Sequence, residues 1–245
     1  MRQRRFIAAI LGVFVVGLPV WASSQTVDEL IAKNIEAMGG YKKWKAIQSM
    51  KITGLIQTQG MEMPFVRYAK RPNLLRIEAT MQGQTMIQAY DGKTPWWIFP
   101  FMGSTDPQKM PPDQAEDFIQ QADFDGPMID YQKKGHKIEL AGKEEVEGTE
   151  AYKLKITLKN GQVLHVYLDP EYYLEIKQTT FRKSQGAEFE VETYFGDYKE
   201  VEGILLPHSI QIQAGIQKTS LSIEKVEFNV EMDDSLFTMP DRAGK

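Results

Sequence analysis

The sequence predicts a mainly β protein: about 11–12 antiparallel strands in a single strongly curved sheet or barrel, with short helical segments that must cover part of it. Three observations predict it. Apolar and polar residues alternate with period two over most of the chain, which marks strands with one buried and one wet face. Dipeptides suited to tight turns, Gln82-Gly83, Asp91-Gly92 and Asn160-Gly161, separate these runs. No strand–helix–strand rhythm is present, so parallel crossovers are not expected.

The first element after the N-terminal segment is nevertheless a helix. Thr26 and Glu29 make a T-x-x-E capping pair. Leu30, Ile31, Asn34, Ile35 and Met38 follow at helical spacing, and Gly39-Gly40 ends the run. Residues 41–47 add a turn or two with Trp44 pointing inward. Strands follow. Met50, Ile52, Gly54 and Ile56 alternate with Lys51 and Thr53; Met61, Met63 and Phe65 with Glu62 and Pro64; Leu75, Ile77, Ala79 and Met81 with Arg76, Glu78 and Thr80. Residues 85–90 and 96–99, the latter starting at Trp96, complete the first set.

Residues 101–135 break the pattern. Pro107, Pro111 and Pro112 interrupt any strand. Asp113 and Glu116 cap a short helix over 113–122, whose apolar face holds Phe118 and Ile119. Asp125-Gly126-Pro127 opens a second, over 126–134, with Met128, Ile129 and Tyr131. Such thin apolar faces dock weakly, so the two helices are expected to form a movable lid. Strands then resume over 136–147, 150–159, 163–169, 172–183, 187–199, 205–215 and 218–230. Glu188, Glu190 and Glu192 alternate with Phe189 and Val191 as a solvated face.

Composition narrows the function. Residues 1–24 have the form of an export signal: Arg2, Arg4 and Arg5, an apolar run from Phe6 to Leu18, Pro19, and small residues allowing cleavage after Ala22 or Ser24. The mature domain is then 25–245. Losing those three arginines takes the net charge from -4 to -7, which argues against nucleic acid or an anionic lipid surface as the main partner. There is no cysteine, which excludes a thiol nucleophile and a cysteine metal site. The three histidines, His136, His165 and His208, lie on separate elements without a carboxylate at ligand spacing. No nucleophile–base or phosphate-binding motif is present, and no carboxylate sits inside an apolar stretch that would raise its pKa. No catalytic residue, metal or cofactor is expected, and the chain does not read as an enzyme. The unusual feature is twelve methionines. Methionines at strand positions sharing one face suit an adaptable apolar cavity as well as a plain core.

Motifs sharpen this reading. Lys70-Arg71-Pro72-Asn73-Leu74 is followed by Asp91-Gly92-Lys93-Thr94-Pro95-Trp96 and Pro100-Phe101, and the chain closes with Leu236-Phe237-Thr238-Met239-Pro240. This order resembles the outer-membrane lipoprotein-sorting family (LolA/LolB-like), with Phe99 where that family's hairpin ends in asparagine. The resemblance implies an incomplete barrel whose apolar cavity holds the acyl chains of lipoproteins or other lipids, in the periplasm. It implies a monomer served by an inner-membrane donor and an outer-membrane acceptor. The cavity residues expected are Met50, Ile52, Met61, Met63, Phe65, Leu75, Ile77, Met81, Trp96, Phe118 and Ile119. Arg71 falls where the family places an arginine that secures the lid. The long 101–135 segment and the acidic surface depart from the family. A ligand-sensing envelope module of the same fold is the alternative, and a hydrolase without a recognisable motif the remoter one.

Overall fold

The computed structural model describes residues 25–184 and 187–241; the expected export signal and its cleavage site lie outside the described residues. Helices α1 (Val27–Ala37) and α2 (Tyr41–Ala46) precede six strands: β1 (Ser49–Thr58), β2 (Met61–Lys70), β3 (Leu74–Met81), β4 (Gln84–Tyr90), β5 (Pro95–Phe99) and β6 (Ser104–Lys109). Helices α3 (Pro112–Gln121) and α4 (Tyr131–Lys134) lead to seven more: β7 (Lys137–Val146), β8 (Thr149–Thr157), β9 (Val163–Leu168), β10 (Glu175–Ser184), β11 (Ala187–Val201), β12 (Ile204–Ala214) and β13 (Gln217–Phe228).

The thirteen strands form one antiparallel sheet in the order β6-β5-β4-β3-β2-β1-β13-β12-β11-β10-β9-β8-β7. All but one of the pairings join strands consecutive in sequence. The exception, β1 with β13, brings the two halves of the chain side by side. Edge strands β6 and β7 do not pair with each other, so the barrel is incomplete. The connection carrying α3 and α4 joins those two edges.

The strand beyond the expected count is β6. Its Pro107 was expected to interrupt any strand, but β6 is an edge, where a missing N–H costs no ladder bond on the open side. The helical segment also differs from expectation. α3 begins with Pro112 at its first position, after Pro111, and no side chain caps it, so Asp113 and Glu116 are not its caps. The second helix shrinks to the four residues of α4, because Asp130 takes a left-handed φ of 55° and Gly135 one of 77°. The α1 capping box forms as the sequence indicates, Glu29 N donating to Thr26 Oγ1 at 3.3 Å and Thr26 N to Glu29 Oε2 at 2.8 Å.

Register fixes which side chains share the inner face. Met50, Ile52 and Ile56 on β1 stand opposite Ala69, Arg67 and Met63 on β2, which in turn place Leu75 and Ile77 on β3. α2 and α3 cover this half, giving a cluster that includes Met50, Phe65, Leu75, Phe118 and Phe124. α1 covers the other half, with Leu30 and Ile31 against Leu154, Ile156, Leu164 and Val166. On the outer face the C-terminal segment folds back over the sheet. Trp96 donates from Nε1 to Phe237 O at 2.8 Å, Arg76 to Leu236 O at 2.9 Å, and Lys70 to Met232 O at 2.8 Å. Among the described residues no helix is long and apolar enough to cross a membrane.

Candidate ligand cavity

A cavity of about 350 Å³ lies between the inner face of the sheet and the chain joining α3 to α4. Its sheet wall is Met50, Ile52, Phe65, Ile210, Leu221, Ile223 and Val226, contributed by β1, β2, β12 and β13. Phe124, Pro127, Met128 and Ile129 form its roof, with Trp44 of α2 and Met38 beside them. Gly54 lets the wall close tightly. It sits at a register shift between β1 and β13, and a Cβ there would stand 2.1 Å from Ser222 O.

The roof is held by charge. Arg71, just beyond β2, donates from Nε to Ile47 O at 2.6 Å and from an Nη to Trp44 O at 3.1 Å, the carbonyls that end α2. Its other Nη lies 2.7 Å from Asp125 Oδ1, and its guanidinium stacks 4.4 Å from the Phe124 ring centroid. Asp125 also accepts from Trp44 Nε1 at 3.0 Å and from Lys45 Nζ at 2.6 Å. Burial pushes the Asp125 carboxyl up, but Lys45 and Arg71 outweigh it and hold the group below the usual range. Lys134 ties down the same stretch, reaching Asp123 at 2.5 Å and Gly126 O at 2.6 Å. Asp130, bonded by Lys133, Lys45 and Tyr41, is brought down to about 2.

Two ionisable groups border the cavity without an opposite charge. Arg67, on the inner face of β2, donates to Gln121 O at the end of α3 at 3.3 Å, and among the described residues no carboxylate lies within ion-pair distance. Burial lowers its pKa to about 10. Glu175 begins β10; its Oε1 is buried with no hydrogen-bond partner, and burial pushes the group up to about 8. Asn34 of α1 also borders the cavity; it donates to Tyr173 O at 2.8 Å, while its Oδ1 has no partner. Among the described residues no three His, Asp or Glu side chains are grouped to hold a metal ion.

Of the residues expected in the cavity, Met50, Ile52 and Phe65 border it. Met63, Ile77 and Met81 share their inner face by register, while Leu75 and Phe118 are buried in the adjoining core. Met61, at the strand end, is 42% exposed. Two expectations are corrected. Ile119 is exposed on the outer side of α3, because the helix docks through Phe118. Trp96 lies on the outer face beneath the C-terminal segment, while Trp97 takes the inner parity. Pro95–Phe99 is apolar at every position, so alternation could not tell its two faces apart.

Sequence reading missed three features. The β12 and β13 wall shows ordinary alternation, but nothing local says that those strands lie beside β1. Arg67 falls in the inward run of Met61, Met63, Phe65, Ala69 and Arg71, so its parity already marked it. Glu175 stands between Leu174 and Ile176 and contradicts the expectation that no carboxylate occupies an apolar stretch.

The fold is similar to that of several solved structures. A LolA superfamily protein from Nitrosomonas europaea superposes with a TM-score of 0.61 at 14% identity, covering 88% of this chain and 98% of that one. A DUF1329 family protein from Desulfovibrio piger gives 0.61 at 13% identity, covering 88% and 98%. A domain assigned to outer membrane lipoprotein sorting, from Vibrio parahaemolyticus, gives 0.52 at 13% identity, covering 84% and 97%. More narrowly, a family model described as "Uncharacterized protein" matches residues 78–241, more than half of the chain, and the chain belongs to that family. A comparison with curated protein sequences returns no match.

Proposed function

We propose that the protein is a non-enzymatic envelope carrier that takes up acyl chains of lipoproteins or other lipids beneath its roof and passes them to an acceptor. The observation that carries this reading is an apolar cavity of about 350 Å³ beneath a roof of Phe124, Pro127, Met128 and Ile129, a stretch that the Arg71–Asp125 and Lys134–Asp123 ion pairs also tie down. Apolar walls accept hydrocarbon without regard to its chemical detail.

Energetics define the partners. Burying a ~16-carbon chain at ~0.8 kcal/mol per methylene is worth about 12 kcal/mol gross, which a bilayer matches. The carrier therefore gains little by extracting a lipid unaided. Uptake needs a donor at the inner membrane that performs work, and release needs an acceptor at the outer membrane that binds better. A monomer suffices for both steps, and export through the N-terminal segment would place it in the periplasm.

The test is extraction of lipid from protein purified out of an envelope fraction, followed by mass spectrometry and by transfer of a labelled acylated cargo to outer-membrane vesicles. Co-purifying acyl lipid that transfers is the expected result. Lipid that binds but never transfers would favour the sensor alternative, and absence of both would overturn the reading.

A further inference from the structure

The polar groups inside the cavity carry an inference about what kind of acyl ligand enters it. Arg67 is a fixed positive charge: its guanidinium does not lose its proton at neutral pH, and it has five donors and no acceptor. One of those donors reaches Gln121 O at 3.3 Å, a carbonyl rather than an anion. The strand neighbours across the ladder are Ile52 and Ile77, both apolar. Every other charge bordering the cavity except Glu175 is paired: Asp125 with Arg71 and Lys45, and Asp123 with Lys134. Glu175 lies on β10, five strands from β2 along the sheet, and makes no ion pair with Arg67.

A cavity meant only for hydrocarbon has no use for such a group, because even a half-buried charge without an opposite charge beside it is costly. The cost falls when an anion arrives with the ligand, since oxyanions form short, charge-assisted hydrogen bonds with a guanidinium. Glu175 does not oppose this: burial keeps it protonated at neutral pH, so it adds no negative charge.

We infer that the cavity admits acyl amphiphiles bearing an anionic oxygen head, carboxylate or phosphate, and that Arg67 is the group that selects the anion. This deepens the carrier reading and rests on it.

The experiment measures binding of three delipidated probes by calorimetry: palmitate, palmitoyl lysophosphatidate and monopalmitoylglycerol. The acidic probes should bind about tenfold or more tightly than the neutral one. Arg67→Gln should remove that preference while leaving the neutral probe's affinity in place, and Arg67→Lys, which keeps the charge, should retain most of it. The Lys variant guards against loosening of α3 being mistaken for loss of recognition. The stronger of the two acidic probes identifies the source of the anion. Equal binding of all three, or a preference that survives Arg67→Gln, would overturn the inference and leave the carrier reading standing. Binding of none would overturn the carrier reading itself.

Discussion

Arg71 and Asp125 meet at 2.7 Å, and this one ion pair joins the end of β2 to the chain between α3 and α4. The same guanidinium holds the terminal carbonyls of α2, so three pieces of chain converge on one side chain. Arg71→Leu should keep the sheet folded and weaken closure of the roof by about 2–3 kcal/mol, since both partners are largely buried. Hydrogen exchange checks it: amides over 123–134 should exchange faster in the variant, with 150–157 unchanged. Uniform change across the chain would mean that Arg71 supports the whole fold instead.

Glu175 gives a pH signature. Its folded pKa, about 8, stands above the ordinary 4.5, so the native state holds a proton that the unfolded state has released. Stability from this group is complete below pH 4.5 and is lost as pH rises through about 8. Glu175→Gln, neutral at every pH, should melt close to wild type at pH 5 and clearly higher at pH 9. Parallel melting curves across that range would show that the carboxyl is solvated.

Trp96 joins two sequence motifs through one hydrogen bond, from its indole to Phe237 O, with both side chains fully buried. Trp96→Phe leaves that carbonyl without its donor, and should cost about 1–3 kcal/mol in urea unfolding. Acyl binding should survive, because the residue faces away from the cavity. Lost binding at undiminished stability would contradict the outer-face placement.

Gly54 faces the Ser222 carbonyl too closely for any side chain. Gly54→Ala should destabilise by about 1–3 kcal/mol through forced separation of β1 and β13. It should also enlarge the gap between cavity walls and weaken acyl binding, a pairing of effects that calorimetry and denaturation together would reveal.

Much of the sheet was legible because period two is a local property. The seven later strands fall within a few residues of their expected spans, and the inward parity of β1 to β3 follows from alternation alone. What local pattern could not supply was the β1–β13 pairing, on which half of the cavity wall depends. Pro107 misled because its tolerance depends on β6 being an edge, and Trp96 because its strand is apolar on both faces. The helical segment was legible as a break in pattern, whereas the shortening of α4 was not: Gly126-Pro127 suited a helix start, and the left-handed φ of Asp130 shows only in the backbone. Arg71 was visible through its motif, whereas its partner Asp125 was read only as part of a helix start.

The central claim is that an acyl chain occupies the space between β1, β2, β12, β13 and the 123–129 roof. Photolabelling with a diazirine-bearing palmitate, followed by peptide mapping, addresses it directly. Labels on Met50, Phe65, Ile223 and Phe124 are the expected result. Labels confined to the outer face near Trp96 and the C-terminal segment, with these four residues unmodified, would contradict it.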